Sequence, residues 1–242
     1  MRLLLIELVL LIALSAQAAE NGGIILGSVR VNGKVPTAPT FEVGHDADVC
    51  GDAARTVPSL ALGTNQAVRN VVIYLGASVP NGRVLSTNEP PAVLDQRDCE
   101  FVPRIQIAHC GSALLLRNSD PLLHVVQLDS LHGTNGPSAL LQLAMPYAGF
   151  EKKYSLAGFV EPTLLRATNV NGHEWMTAYI AVLPHPWATL TDERGRFAVR
   201  GVPKGMYKLY AWHEMLGTLV RDVRITSEQK TIIDFEFSTG RK

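Results

Sequence analysis

Apolar and polar positions alternate along most of this chain with the two-residue period of β-strands, and no long stretch carries the 3.6-residue period of a helix. Residues 24–31 are rich in strand formers and run into Asn32-Gly33, a dipeptide suited to the positive φ angles of a hairpin turn. Residues 105–107, 113–117 and 124–128 read as short strands, the last two separated by the turn Asn118-Ser119-Asp120-Pro121. Residues 71–75 and 178–183 are apolar at every position and read as buried strands, the second closed by Pro184. Residues 131–148 are looser, and a short helix or a cover over one end of the fold is expected there. Beyond Pro184 the alternation resumes in four short strands split by Gly- and Pro-containing turns, a small second β-module with no flexible linker before it. Frequent Gly, Pro and Asn punctuation between short strands predicts an all-β protein built from β-sandwiches.

The first residues break this pattern. Arg2 precedes two apolar runs, 3–6 and 8–14, and Ser15-Ala16-Gln17-Ala18-Ala19 follows with small residues at cleavage spacing. That is the layout of a secretory signal peptide, cut after Ala18 or Ala19, so residues 1–18 are assigned to export. Glu7 interrupts the run, which falls short of the ~20 apolar residues a membrane span needs. The protein is therefore expected in the periplasm or outside the cell, with no transmembrane segment in the mature chain.

Composition then removes some functions. The 242 residues carry 22 basic and 22 acidic side chains, with no basic run or basic-aromatic cluster, so nucleic acid is not an expected partner. Three cysteines, Cys50, Cys99 and Cys110, in an oxidising compartment imply one disulfide. Cys50 and Cys99 are the expected pair because both lie in polar, turn-like surroundings, and closing so long a loop would contribute ~4 kcal/mol by chain entropy. The sequence leaves a pairing with Cys110 open.

Two groups of residues resemble known modules. Arg117-Asn118-Ser119-Asp120-Pro121-Leu122-Leu123-His124, taken with His173-Glu174-Trp175-Met176, resembles the cupredoxin-like domain of exported proteins of the methylamine-utilisation or plastocyanin-like kind. Pro36, Cys50-Gly51, Leu94-Asp95-Gln96, the stretch from Cys99 to Pro103 and Leu143-Ala144-Met145-Pro146 share the likeness. Thr191-Asp192 through Phe197, then Val202-Pro203-Lys204-Gly205-Met206-Tyr207 and Trp212-His213-Glu214, are similar to a carboxypeptidase regulatory-like domain, a transthyretin-type sandwich without catalytic residues. The resemblance implies a cupredoxin-like Greek-key β-sandwich over residues 19–184 and a smaller transthyretin-like sandwich over 185–242. It also implies copper, held by His124 and His173 with Met176 as the axial ligand.

One departure alters that chemistry. The family's thiolate ligand lies three residues before the second His, and Val170 stands there. A blue-copper centre needs two imidazoles and a thiolate in a trigonal plane, so strong charge transfer is not expected. Cys110 is no substitute, because strand 113–117 places it on the order of 20 Å from His124. His124, His173 and Met176 make a softer, thiolate-free set, to which His109, His132 and Met145 are further candidates. His173-Glu174 and His213-Glu214 open like H-E-x-x-H, but their fifth residues are Thr177 and Gly217, and no nucleophile-elbow, P-loop or dinucleotide motif occurs. Binding rather than catalysis is expected: copper at the His/His/Met site, or, as the alternative, an unknown protein or glycan partner on a metal-free scaffold.

Overall fold

The computed structural model describes residues 22–35, 37–57, 60, 62–76, 90–131, 136–226 and 230–239. The expected signal segment, Pro36 and His132 lie outside them. The fold is all-β and built from β-sandwiches, and its one α-helical element among the described residues is a single turn, Ala47–Cys50. The strands are β1 (Gly23–Gly33), β2 (Thr40–Phe41), β3 (Arg55–Thr56), β4 (Val72–Leu75), β5 (Ala92–Arg97), β6 (Glu100–Val102) and β7 (Ile105–His109). They continue with β8 (Ala113–Asn118), β9 (His124–Ser130), β10 (Ser138–Met145), β11 (Phe150–Ser155), β12 (Thr163–Asn169) and β13 (Thr177–Leu183). The last are β14 (Ala188–Leu190), β15 (Arg196–Val202), β16 (Gly205–His213), β17 (Gly217–Ile225), β18 (Lys230–Ile232) and β19 (Phe235–Thr239).

Two sandwiches result. The first faces the sheet β10-β9-β12-β13-β7 against β11-β8-β5-β6. Its core joins Leu94, Leu114, Leu116, Val126, Leu128, Leu165, Ile180 and Val182, contributed alternately from strands of both sheets. Within residues 131–148, β10 is a strand and not a helix: Leu141, Leu143 and Met145 pair with Leu128, Val126 and His124 of β9, completing the sheet edge.

The second sandwich faces β14-β4-β16-β17 against a sheet in which β1 pairs with β15, β18 and β19. A division at residue 184 therefore does not separate the sandwiches, since β1 and β4 precede it in the chain. The reason is burial. Ile25, Val29, Val31 and Ile73 are completed only by Phe197, Val199, Leu209 and Phe235 from the C-terminal strands.

The two wholly apolar runs explain how the sandwiches join. Along β13, Ala178, Ile180 and Val182 enter the first core, while Ala181 and Leu183 turn the other way. Along β4, Ile73 and Leu75 enter the second core, while Val72 and Tyr74 meet Ala181, Leu183 and Trp212. Both faces of each strand are covered, which is why alternation vanishes from their sequences. Arg104, just ahead of β7, pairs with buried Glu214 after β16 at 2.6 Å across this junction. The four sheets thus form a continuous stack.

Candidate metal centre

The candidate ligands gather at one end of the first sandwich, where three turns meet. The β8–β9 turn is built by Asn118. Its Oδ1 accepts from the amide of Asp120 at 2.9 Å, and its Nδ2 donates to the carbonyls of Leu122 and Met145 at 2.8 and 2.9 Å. This folds Asp120 back over the β5–β6 hairpin, where Asp98 and Cys99 both have φ of 55°. A two-residue hairpin turn with two left-handed positions is usually made with Asn or Gly. Here the Asp120 carboxylate holds it by accepting both turn amides, from Asp98 at 2.7 Å and Cys99 at 3.0 Å. Cys99 is thereby presented to Cys50, and the expected disulfide is formed, while Cys110 is free.

His124 opens β9 with its ring fully buried. Its Nε2 donates to Asp120 Oδ2 at 2.9 Å, and its Nδ1 accepts from Asn169 Nδ2 at 3.2 Å. Burial pushes the Asp120 carboxyl upward, but its bonds to His124 and the turn amides outweigh this and hold it below the usual carboxylate range. Both ring nitrogens of His124 are therefore engaged. Asn169, 3% exposed at the end of β12, is the side chain that faces this ring, whereas Val170 is 44% exposed and points away. The sequence resemblance would place a thiolate at Val170, yet it is the amide one residue earlier that fills the space beside His124.

His173 is also fully buried, and its two nitrogens are both without a hydrogen-bond partner. Its ring centroid lies 5.2 Å from that of His124, 4.7 Å from His45 and 5.2 Å from Trp175. Burial first, then the neighbouring His124 and His45, push its basicity down, against the opposing pull of Asp46 and Glu174. A neutral imidazole with one lone pair open on a ring nitrogen results, which is the form that binds metals. Trp175 closes the inner side, its Nε1 donating to the Cys99 carbonyl at 2.8 Å. Met176 is fully buried in the same apolar cluster as Cys50, Cys99 and Trp175, and its amide donates to the His173 carbonyl at 2.9 Å.

Two residues outside the sequence expectation join the group. His45 and Asp46 precede the helical turn that carries Cys50, and the disulfide ties this segment to the site. Asp46 Oδ2 stands 3.4 Å from His173 Nε2, and ligand atoms of His45, Asp46 and His173 lie within 4.8 Å of one another. His45 packs over Gly172, where φ is +93° and a Cβ would overlap the imidazole Nε2. His45 is exposed and Asp46 partly so, giving the buried His173 a path to solvent. Their sequence signal was position: residues five and four before a disulfide cysteine must travel with it. Met145 is placed near the site, accepting from Gln96 Nε2 at 3.0 Å through its sulfur. His109 lies at the far end of β7, which runs parallel to β13 and pairs it with Leu183.

No protein-family model matches the sequence, and a search among curated proteins finds no match. Among solved structures, the chain is similar to the copper-containing nitrite reductase from Thermus scotoductus at 16% identity over 38% of this chain and 22% of that one, with a TM-score of 0.30. It is similar to an oxidised amicyanin variant at 16% identity over 38% of this chain and 81% of the other, TM-score 0.31. A purple cupredoxin from Nitrosopumilus maritimus matches at 16% identity over 38% of this chain and 98% of its own, TM-score 0.29.

Proposed function

We propose that this chain is an exported binding protein that holds one copper ion at a thiolate-free imidazole site, with His173 as the principal ligand. The observation that carries this is the pair of unpartnered nitrogens on a fully buried His173. An imidazole removed from water normally finds a partner, and a lone pair left free costs about 1–3 kcal/mol unless something else uses it. His45 and Asp46 supply nitrogen and oxygen donors beside it, a set that suits Cu(II). His124 joins as second imidazole when Asn169 swings off its Nδ1, and Met176 is the nearby soft donor for Cu(I). The disulfide and the N-terminal segment support an oxidising compartment outside the cytoplasm. The second sandwich is read as a carboxypeptidase regulatory-like module, with no catalytic role.

A metal-free scaffold for a protein or glycan partner is the second reading. It draws on His124, whose nitrogens are both satisfied by protein groups.

Titration of the oxidised chain, expressed from Glu20, with Cu(II) and Cu(I) against a competing chelator separates the two. One equivalent is expected to bind, with His173→Ala weakening it at least about 10–100-fold, as loss of a ligand should exceed loss of an outer-shell partner. Uptake by the intact chain no greater than by a His124→Ala, His173→Ala double variant rejects the copper site in favour of the scaffold.

A further inference from the structure

The disulfide does more than staple two turns. The sulfurs of Cys50 and Cys99 and a ring nitrogen of His173 all lie within 4.8 Å of one another, and all three residues are fully buried. Ligands sharing one ion stand about 3–4 Å apart, given metal–sulfur bonds of about 2.3 Å and metal–nitrogen bonds of about 2.0 Å. Three side chains are therefore gathered at nearly ligating distances, and the bond between the two sulfurs is what keeps them from acting as ligands. The third, His173, has no hydrogen-bond partner on either ring nitrogen.

We infer that reduction of Cys50–Cys99 converts this centre into a two-thiolate, one-imidazole site for Cu(I), built from Cys50, Cys99 and His173. The inference rests on the reading of His173 as a copper ligand and adds a redox state to it. In the conversion a dithiol reductant gives two electrons and two protons to the S–S bond and becomes a disulfide itself, leaving two cysteine thiols. Cu(I) then binds both sulfurs as thiolates, and the two thiol protons pass to solvent. The sulfur that position 170 does not supply comes instead from the opposite sheet.

The donor set selects the ion. Thiolates favour Cu(I) and Zn(II), but zinc prefers four ligands in a tetrahedron. The neighbouring donors are already spent. Asp120 accepts from the amides of Asp98 and Cys99 and from His124, and His124 is further held by Asn169. His45 and Asp46 are bonded to each other and the carboxylate is a hard donor, so the two sulfurs and the His173 imidazole form the soft set, three donors that suit Cu(I). The same His173 thus serves a nitrogen-oxygen set with His45 and Asp46 when the sulfurs are paired, and a sulfur-nitrogen set when they are not. Cysteine redox state would decide which oxidation state of copper the protein retains.

The test uses the full mature chain with Cys110→Ser, so that the pair is the only source of thiols. Oxidised protein is compared with protein reduced by dithiothreitol and desalted under nitrogen, each titrated against Cu(I) held by a chromophoric chelator. The reduced chain is expected to take one Cu(I) on the order of 100-fold more tightly than the oxidised chain, with ultraviolet thiolate-to-copper absorption and slowed return of the disulfide in air. His173→Gln is expected to lower that affinity about tenfold or more. Equal affinity in the two redox states overturns the inference and leaves the thiolate-free copper reading intact. Undiminished binding by the reduced His173→Gln chain overturns it as well, since two sulfurs would then suffice. Binding only in the reduced state, lost with His173, supports it while removing the thiolate-free site. A reduced chain that has lost its near-ultraviolet circular dichroism both with and without Cu(I) counts against it.

Discussion

At the scale of single residues, the most informative contrast is between Asn169 and Val170. The sequence resemblance places a thiolate at position 170, where the chain has valine. What spacing does not convey is the side-chain direction at the end of β12, where Asn169 turns inward to His124 and Val170 outward. A thiol placed at 169 would meet the His124 imidazole, and one at 170 would meet solvent. Asn169→Cys is therefore expected to raise copper affinity on the order of tenfold and to produce visible thiolate-to-Cu(II) absorption, while Val170→Cys leaves both unchanged. Absorption spectra of the two copper-loaded variants check this directly. The Cys50–Cys99 pair was legible from the polar, turn-like surroundings of both cysteines, and His124, His173 and Met176 were singled out by local motifs. His45, Asp46, Asp120 and Asn169 were not, since their roles depend on which turns meet in space.

At the scale of elements, the site is held by loops that borrow order from one side chain each. Asn118 satisfies one amide and two carbonyls while fully buried. Asn118→Ala would strand those groups away from water, and the cost is expected at about 2–4 kcal/mol, read as a lower midpoint in urea unfolding. The disturbance should travel. The β8–β9 turn positions Asp120, which in turn holds the left-handed Asp98-Cys99 hairpin. The turn Asn118-Ser119-Asp120-Pro121 was evident in the sequence as a strand breaker. Its function as a scaffold for a second, distant turn was not, because turn propensity is local and the hydrogen bonds from Asp120 cross more than twenty positions. The misread region 131–148 has a similar cause. Gly and Pro near its start suggested irregularity, and β10 became a strand only because the edge of β9 was there to pair with it.

At the scale of the whole molecule, the junction between sandwiches is apolar at its centre and ionisable at its margins. His185 is buried, and its Nε2 donates to the Leu75 carbonyl at 3.0 Å. Burial pushes its basicity down, as does nearby His109, against the pull of the Leu75 and Gly76 backbone. His213 is buried beside Glu214 and Arg104, and burial again lowers its basicity despite the Glu214 carboxylate. Both imidazoles fold in their neutral form. Below the ordinary imidazole value of about 6.5, the unfolded chain takes up protons that the folded chain resists, so stability falls as pH drops. A declining urea midpoint from pH 7 toward pH 5 is expected, and His213→Phe should shallow that decline. The fold class was readable from alternation, and the wholly apolar runs 71–75 and 178–183 announced strands covered on both faces. The partners were not readable. A pattern reports that a face is buried and is silent on what buries it, which is how β1 and β4 came to be counted with the wrong sandwich.

The pairing of β1 with β15, β18 and β19 also sets an order in time. A chain that emerges N-terminus first exposes β1 early, yet every strand it pairs with arrives after residue 195. Strands β5 to β13 form the first sandwich from one uninterrupted stretch, so the histidine-bearing end can close while β1 still waits, an unpaired and aggregation-prone edge. Contacts spanning such sequence distances form slowly. The arrival of β19 is then the event that seals the protein, and a chain cut short before it would keep the end that carries His124 and His173 while leaving the second sandwich open to proteolysis.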